Sequence, residues 1–236
     1  MRFIALGLCA LFTAAPASAA VNLIADGGFE ANPAEQGGYG HHAGGTSFDG
    51  GAWFVTGVDI LHVDTAYHAG SGPPLVFWAH GGRDSLDLTG SGNSGPADGV
   101  YQDVATIAGR AYDLSFWVGR ATATGSVAGD YLSPATMRVS IGGGPVAEFV
   151  NDGIVADGIA WKQFSWRFTA TDGVTRLAFV NGLGNDYLGL DDVMLVDTSG
   201  VAEPAEWAMM VGGFGMIGCA MRRSSRWQPL VIGAAR

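Results

Sequence analysis

The sequence predicts an all-β sandwich, and three observations predict it. Apolar and polar residues alternate with period two over long stretches. Glycine, aspartate, asparagine and proline punctuate nearly every gap between those stretches, and no segment from Ala20 to Gly200 carries a helical stripe. In Ala111 to Val118, the side chains of Tyr112, Leu114, Phe116 and Val118 point one way, and Asp113, Ser115 and Trp117 the other. Trp161 to Thr169 repeats the pattern, with Phe164, Trp166 and Phe168 opposite Gln163, Ser165 and Arg167. Successive side chains leave a pleated backbone on opposite faces, so alternation of this length marks a half-buried antiparallel strand.

The elements follow in order. Apolar and β-branched runs at Val21 to Ile24, Trp53 to Thr56 and Val58 to Val63 predict the first strands. Leu75 to Ala79 begins after a Pro-Pro pair, and Ser85 to Leu88 and Val100 to Val104 flank the stretch Gly90 to Gly99. After Ala111 to Val118 come Thr136 to Ile141 and Val146 to Val150, then Trp161 to Thr169, Val174 to Val180 and Leu188 to Val196. Two acidic, glycine-rich stretches, Glu35 to Gly51 and Gly90 to Gly99, are read as long surface loops. So many strands, often separated by long connections, point to two packed sheets rather than one meander.

Both ends of the chain have a different character. Arg2, the apolar run Phe3 to Phe12 and the small residues Ala17-Ser18-Ala19 predict a secretory signal peptide over 1–19. At the other end, Glu203-Pro204-Ala205-Glu206-Trp207 opens an apolar run, Trp207 to Met221, that stops at Arg222-Arg223. Arginine is costly in hydrocarbon and cationic flanks stay on the cytoplasmic side, so a basic stop after an apolar run suits a lipid bilayer. At about 15 residues the run is shorter than the roughly 20 that span comfortably, and its glycines weaken a helix. It is read as a temporary anchor, with an ordinary transmembrane anchor as the alternative.

Between the ends lies one domain, 20–200, with seven cations against twenty carboxylates, a net charge near −13. That charge disfavours nucleic acid, whose binding depends on neutralising phosphates, and suits divalent cations or neutral partners. Cys9 and Cys219 both fall outside the domain, which therefore has no disulfide. The 38 glycines show no period of three, which excludes collagen.

The tail resembles the PEP-CTERM sorting signals of Gram-negative bacteria, through Glu203, Pro204, Trp207, Ala208, Met209, Met210, Gly213, Phe214, Gly215, Arg222 and Arg223. Ala202 stands where that family has proline, and an extension, 227–236, follows the usual end of the motif. The resemblance, over 201–226, implies transient inner-membrane contact, cleavage by an exosortase-type protease, and delivery to the cell surface or extracellular matrix. Within the domain, Asn22-Leu23-Ile24-Ala25-Asp26-Gly27-Gly28-Phe29-Glu30 resembles the first strand of galactose-binding-like jelly rolls, the class of many carbohydrate-binding modules and choice-of-anchor domains. Trp53, Val58-Asp59, Asp84 to Gly90, Gly99 to Asp103, Tyr112 to Phe116, Trp161 to Phe168 and Leu190 to Val193 follow in the order of that class. The resemblance implies a jelly roll of two antiparallel sheets and one structural Ca2+ where the first and last strands meet. The matching ligand positions are Glu30 and Asp191 or Asp192; calcium takes six to eight hard oxygens, so carboxylates and loop carbonyls suit it. Plain alternation places Asp191 on one face with Val193 and Leu195, and Asp192 on the other with Leu190 and Met194.

Catalytic motifs are missing from the sequence. It contains no nucleophile elbow, His-Glu-x-x-His helix or phosphate loop. His41 and His42 have no Glu or Cys at metal-site spacing, and His68 and His80 have no adjacent partner. His62 and Asp64 share a strand face, read as a surface ion pair ahead of a metal or acid–base pair. The protein is therefore read as non-enzymatic. Glycan binding requires aromatic faces on a rigid sheet with polar groups nearby. Trp117 meets that requirement best, Trp161 second, and Tyr131 and Trp78 follow near loop boundaries. The expected function is non-catalytic binding of extracellular polysaccharide; the alternative is a structural matrix protein without a specific ligand, and a glycan hydrolase ranks third.

Overall fold

In the computed structural model, residues 21–92, 97–182 and 187–199 are described. The chain divides after Asp197 into two units, and the first carries all that follows. In chain order its strands are β1 (Tyr39–Ala43), β2 (Ser47–Phe48), β3 (Trp53–Thr56), β4 (Asp59–Asp64) and β5 (His68–Ala69). They continue with β6 (Leu75–Val76), β7 (Asp84–Asp87), β8 (Gly99–Ala105), β9 (Ala111–Thr122) and β10 (Ala135–Ile141). The last four are β11 (Ala147–Asn151), β12 (Gly158–Thr169), β13 (Val174–Asn181) and β14 (Gly189–Asp197).

One six-stranded sheet has the order β1-β4-β7-β14-β9-β12, and the other β11-β10-β13-β8-β3-β2, with β5 and β6 as a small separate hairpin. Every pairing is antiparallel. The all-β jelly-roll expectation holds. Among the described residues no helix is long and apolar enough to cross a membrane. The signal-peptide segment, the sorting motif and the apolar run Trp207 to Met221 all lie outside the described residues.

The inner faces meet in one core. Leu114, Phe116 and Val118 of β9 pack with Ile60, Leu86 and Leu190 of their own sheet and with Trp53, Val100, Met137 and Phe179 opposite. Phe116 sits at the centre, 5.2 Å from the rings of both Phe149 and Phe179, with interplanar angles of 89° and 71°. Such edge-on contacts place the positive rim of one ring on the negative face of the next. A second apolar cluster lies on the outer face of the first sheet, where Val63, Ala121 and Ile159 are covered by Leu75, Phe77 and Tyr187.

Three local expectations are corrected. Val21 to Ile24 is not a strand; the segment lies beside β14, where Leu23 N–H donates to the Leu195 carbonyl and Asn22 bonds both Val193 and Leu195. The regular alternation expected for β14 breaks at a register shift between Asp191 and Met194. Leu190, Val193 and Leu195 all enter the core, and the extra residue, Asp192, takes φ 46°. A bulge of this kind re-aims side chains, here turning both aspartates away from the core. Gly27 faces the bulge so closely that a Cβ there would stand 2.0 Å from the Val193 carbonyl oxygen, which requires glycine. The stretch Glu35 to Gly51, read as a loop, contains β1 and β2.

Replacing Phe116 with alanine should cost about 3–5 kcal/mol, the usual range for emptying a fully buried aromatic site. A urea titration would show this as a lower midpoint with an unchanged slope.

Candidate functional site

The outer face of the first sheet carries the candidate site, and the segment Phe77–Asp84 shapes it. Trp78 Nε1 donates to the Ile159 carbonyl at 3.1 Å, and Trp161 Nε1 donates to the Trp78 carbonyl at 3.1 Å, so the two indoles lock this segment onto β12. The Trp161 ring reaches this position by lying over Gly119 and Gly189, where a Cβ would stand within 3 Å of the indole. His80 then stacks on Trp117 with ring centroids 3.6 Å apart.

Beyond His80 the backbone turns its amides toward carboxylates. Asp191 Oδ2 accepts N–H bonds from His80 at 2.8 Å and Gly81 at 3.1 Å, while its Oδ1 accepts from Asp192 at 2.7 Å. Glu30 Oε1 accepts from Arg83 at 2.7 Å and Asp84 at 2.9 Å. The His80 ring pairs with Asp192 Oδ2 at 2.6 Å. Burial pushes the Asp191 carboxyl up to about 7, against the pull of those amides.

This is where the expected calcium ligands lie, and their chemistry differs one from another. Asp191 spends both oxygens on amide hydrogens and acts as an anchor. Glu30 and Asp192 flank the Gly28 backbone: a Cβ on Gly28 would sit 3.5 Å from Asp192 Oδ1 and 3.8 Å from Glu30 Cγ. Those two carboxylates are oxygen donors of the kind a hard cation such as calcium takes. Among the described residues no group of three or more His, Cys, Asp or Glu side chains stands at metal-holding geometry.

Two hollows open on the same sheet face. One, of about 250 Å³, is lined by Trp117, Gln163, Ser115, Asn22 and Asp192. The other, of about 240 Å³, is walled by Tyr39, Tyr67, Phe77 and Tyr131, with Asp87 and Ser91 as its polar groups. Its rings brace one another: Tyr39 and Tyr67 meet at 5.1 Å, Tyr67 and Phe77 at 5.2 Å, and Phe77 and Tyr131 at 6.1 Å. β4 contributes Leu61 and Val63 as apolar floor.

Asp87 is 5% exposed. Its Oδ1 accepts from Thr89 N–H at 2.9 Å, Thr89 Oγ1 at 2.7 Å and Leu188 N–H at 3.1 Å. Burial pushes its carboxyl up to about 6 in spite of those three bonds. Asp59 differs. Burial acts on it too, yet Ser91 and His41 hold it below the usual carboxylate range. The Ser91 hydroxyl donates to Asp59 Oδ2 at 2.6 Å, and Ser91 N–H reaches both carboxylate oxygens at 3.3 Å. Burial also raises the Tyr187 phenol beside Asp87.

The four aromatics expected to bind glycan separate. Tyr131 lines the tyrosine-walled cleft, Trp117 lines the neighbouring hollow with one ring face covered by His80, and Trp78 and Trp161 hold the 77–84 segment in place. Tyr39 and Tyr67 were not singled out in the sequence, where both fall outside the strands read; Asp87 stood there only within the block Asp84 to Gly90, with no binding role. His62 and Asp64 are not a surface pair: His62 is 1% exposed and bonds the Phe29 carbonyl at 2.9 Å, while Asp64 pairs with Arg83. His80, which has no neighbour in sequence to pair with, finds Asp192 across the fold.

No family model and no curated protein sequence matches the chain. Among solved structures it is similar to TmCBM61 in complex with β-1,4-galactotriose, with 18% identity, 75% of this chain and 99% of that one covered, and a TM-score of 0.38. It is similar also to the CBM22-1 xylan-binding domain of Paenibacillus barcinonensis Xyn10C, with 14% identity, 71% and 99% covered, and a TM-score of 0.37. A third is a family 16 carbohydrate-binding module, with 19% identity, 50% and 80% covered, and a TM-score of 0.33.

The raised carboxyl of Asp87 gives a stability prediction. Its folded value, about 6, lies above the ordinary 3.8. The folded chain therefore holds this proton more tightly, and stability is lost as pH rises from about 4 through 6. Removing the charge by Asp87→Asn should make the variant gain on the parent by roughly 2 kcal/mol between pH 4.5 and pH 8. Denaturant unfolding at both pH values measures it, and an unchanged difference would contradict the assignment.

Proposed function

We propose that this protein binds polysaccharide without catalysis, in the tyrosine-walled cleft on the outer face of its first sheet. The observation that carries the proposal is the cleft itself: three half-exposed tyrosines around a carboxyl and a hydroxyl, on a floor held by strands. The C–H faces of a sugar pack on such rings while carboxylate and hydroxyl orient its OH groups. A hydrolase would need two free carboxylates across the bond to be cleaved, and Asp59 is instead tied to Ser91 and His41. The Trp117 hollow is the second place a sugar could rest, since Gln163, Asn22 and Ser115 line it.

The two ends supply the setting. A signal peptide over 1–19 and a PEP-CTERM-like tail, cut by an exosortase-type protease after transient contact with the inner membrane, deliver the domain to the cell surface or extracellular matrix. Cell fractionation tests this: a shortened chain in the matrix supports it, and a full-length chain in the cytosol overturns it. The domain holds one Ca2+ through Glu30 and Asp192. The ion would tie the Gly28 turn to the last strand, so added calcium should raise the melting temperature by mass action. That rise should vanish in Asp192→Asn; a melting temperature indifferent to calcium and chelator rejects the ion.

Retention of the purified protein on immobilised galactan, xylan or mannan tests the binding itself. Tyr131→Ala should weaken retention at least tenfold with the circular dichroism spectrum unchanged, while Trp117→Ala should leave it within twofold. The reverse pattern would move the site to the Trp117 hollow, and no retention on any polysaccharide would favour a structural matrix role.

A further inference from the structure

Among the described residues that line the cleft Asp87 is the single buried acid, and its placement specifies more than a general affinity for sugar. Asp87 follows Leu86, which enters the core, so its side chain leaves β7 on the outer face and helps line the cleft. Three donors fix Oδ1. They set the orientation of the carboxyl plane without help from the ligand, so little rotamer entropy remains to be lost on binding. Around it stand Asp59 from β4, the phenols of Tyr67 and Tyr187, and Ser91, whose hydroxyl is already directed to Asp59. Leu61 faces Asp87 across the β4–β7 ladder, and Asp59 lies two residues further along the same face, a diagonal neighbour at about 7–8 Å between Cβ atoms. Two carboxylates so close make the cleft hostile to an anionic ligand.

Resting on the binding reading above, we infer that Asp87 is the specificity-determining residue of the cleft: as a carboxylate it accepts hydrogen bonds from a vicinal diol of a neutral glycan, and the cleft rejects uronic-acid chains. Oδ1 already accepts three hydrogens, so the two O–H groups of a diol converge on Oδ2. Hydrogen bonds to an ionised acceptor are roughly twice as strong as neutral ones. A uronate brings a second negative charge toward Asp87 and Asp59, which like-charge juxtaposition penalises. A protonated Asp87 loses an acceptor and presents a hydrogen to oxygens that are themselves donors. Because burial has already pushed this carboxyl up to about 6, the requirement for charge falls in a pH range that is easily scanned.

The test measures affinity electrophoresis of the full chain against xylan and galactan, as neutral diol-bearing chains, and against alginate as a uronate, all with chelator present, from pH 4.5 to 8. Binding to a neutral chain should rise about tenfold per pH unit up to roughly pH 6 and level off above pH 7. Asp87→Asn should bind at least tenfold more weakly at pH 7.5, with a flat pH profile. Periodate oxidation, which cleaves vicinal diols, should abolish binding to the parent protein, and alginate should bind at least tenfold more weakly than the best neutral chain. A flat profile for the parent, or Asp87→Asn binding at parental strength while Tyr131→Ala fails to bind, overturns the role of Asp87 and leaves the cleft intact. Parental binding by both variants overturns the cleft reading instead. No binding by the parent to either neutral chain removes both.

Discussion

Amide hydrogens from one short turn, His80–Asp84, reach carboxylates that come from opposite ends of the domain. Asp191 belongs to the last strand and Glu30 to the first turn, and between them they accept four of that turn's N–H groups. A carboxylate shielded from water is tolerable only with such donors, because an uncompensated one costs several kcal/mol. The donors in turn need the carboxylates, since Gly81 and Gly82 bring no side chain to hold the middle of the turn, which is otherwise fixed only by the His80 stack and the Arg83 ion pair. The arrangement is mutual, and the rest of the outer face inherits its order. Phe77 reaches the cleft wall, Trp78 grips β12 and His80 covers Trp117 only because this segment has one conformation.

The two faces of the first sheet use the same strands for different ends. Inward, β9 offers Leu114, Phe116 and Val118 to a dry core. Outward, the same strand offers Ser115, Trp117 and then Gly119 and Ala121, the last two small where the Trp161 ring lies over the sheet. The missing side chain at Gly119 lets an indole cross β9 and β14 and donate its N–H to a carbonyl, which a bulky residue there would prevent. The cleft is thus a by-product of how the covering segment is fastened. Its rings come mostly from connections, Tyr67, Phe77 and Tyr131, and its acid from a strand. Catalytic and binding groups are commonly divided this way between a rigid floor and adjustable walls.

The sandwich was legible in the sequence because alternation is a local signal. Ala111 to Val118 and Trp161 to Thr169 declare a buried and an exposed face without reference to any other residue, and β9 and β12 bear them out. The same signal misled in β14, where one extra residue between Asp191 and Met194 shifts the phase and puts Leu190, Val193 and Leu195 together. A bulge is set by what the opposite backbone demands, here the approach of Gly27, and no window of the strand itself records it. The aromatic site was only partly legible for a related reason. Trp117 does face outward as alternation requires, but its partner His80 lies 37 positions away in sequence, and whether a ring face is free depends on that tertiary contact. Tyr39 and Tyr67 gave no periodic signal at all.

The place of β14 in the first sheet has a consequence for how the protein is made. It is the last strand among the described residues, yet it lies at the sheet's interior, paired with β7 on one side and β9 on the other. Until residues near Asp197 have been synthesised, β1, β4 and β7 have no ladder joining them to β9 and β12, and the aspartates that anchor the glycine turn do not yet exist. Non-local pairing of this kind also slows folding, because the intervening chain must be closed before any contact stabilises it. A nascent polypeptide of this topology can assemble its second sheet and the β9–β12 ladder early, but the two halves of its first sheet stay apart until the closing strand arrives.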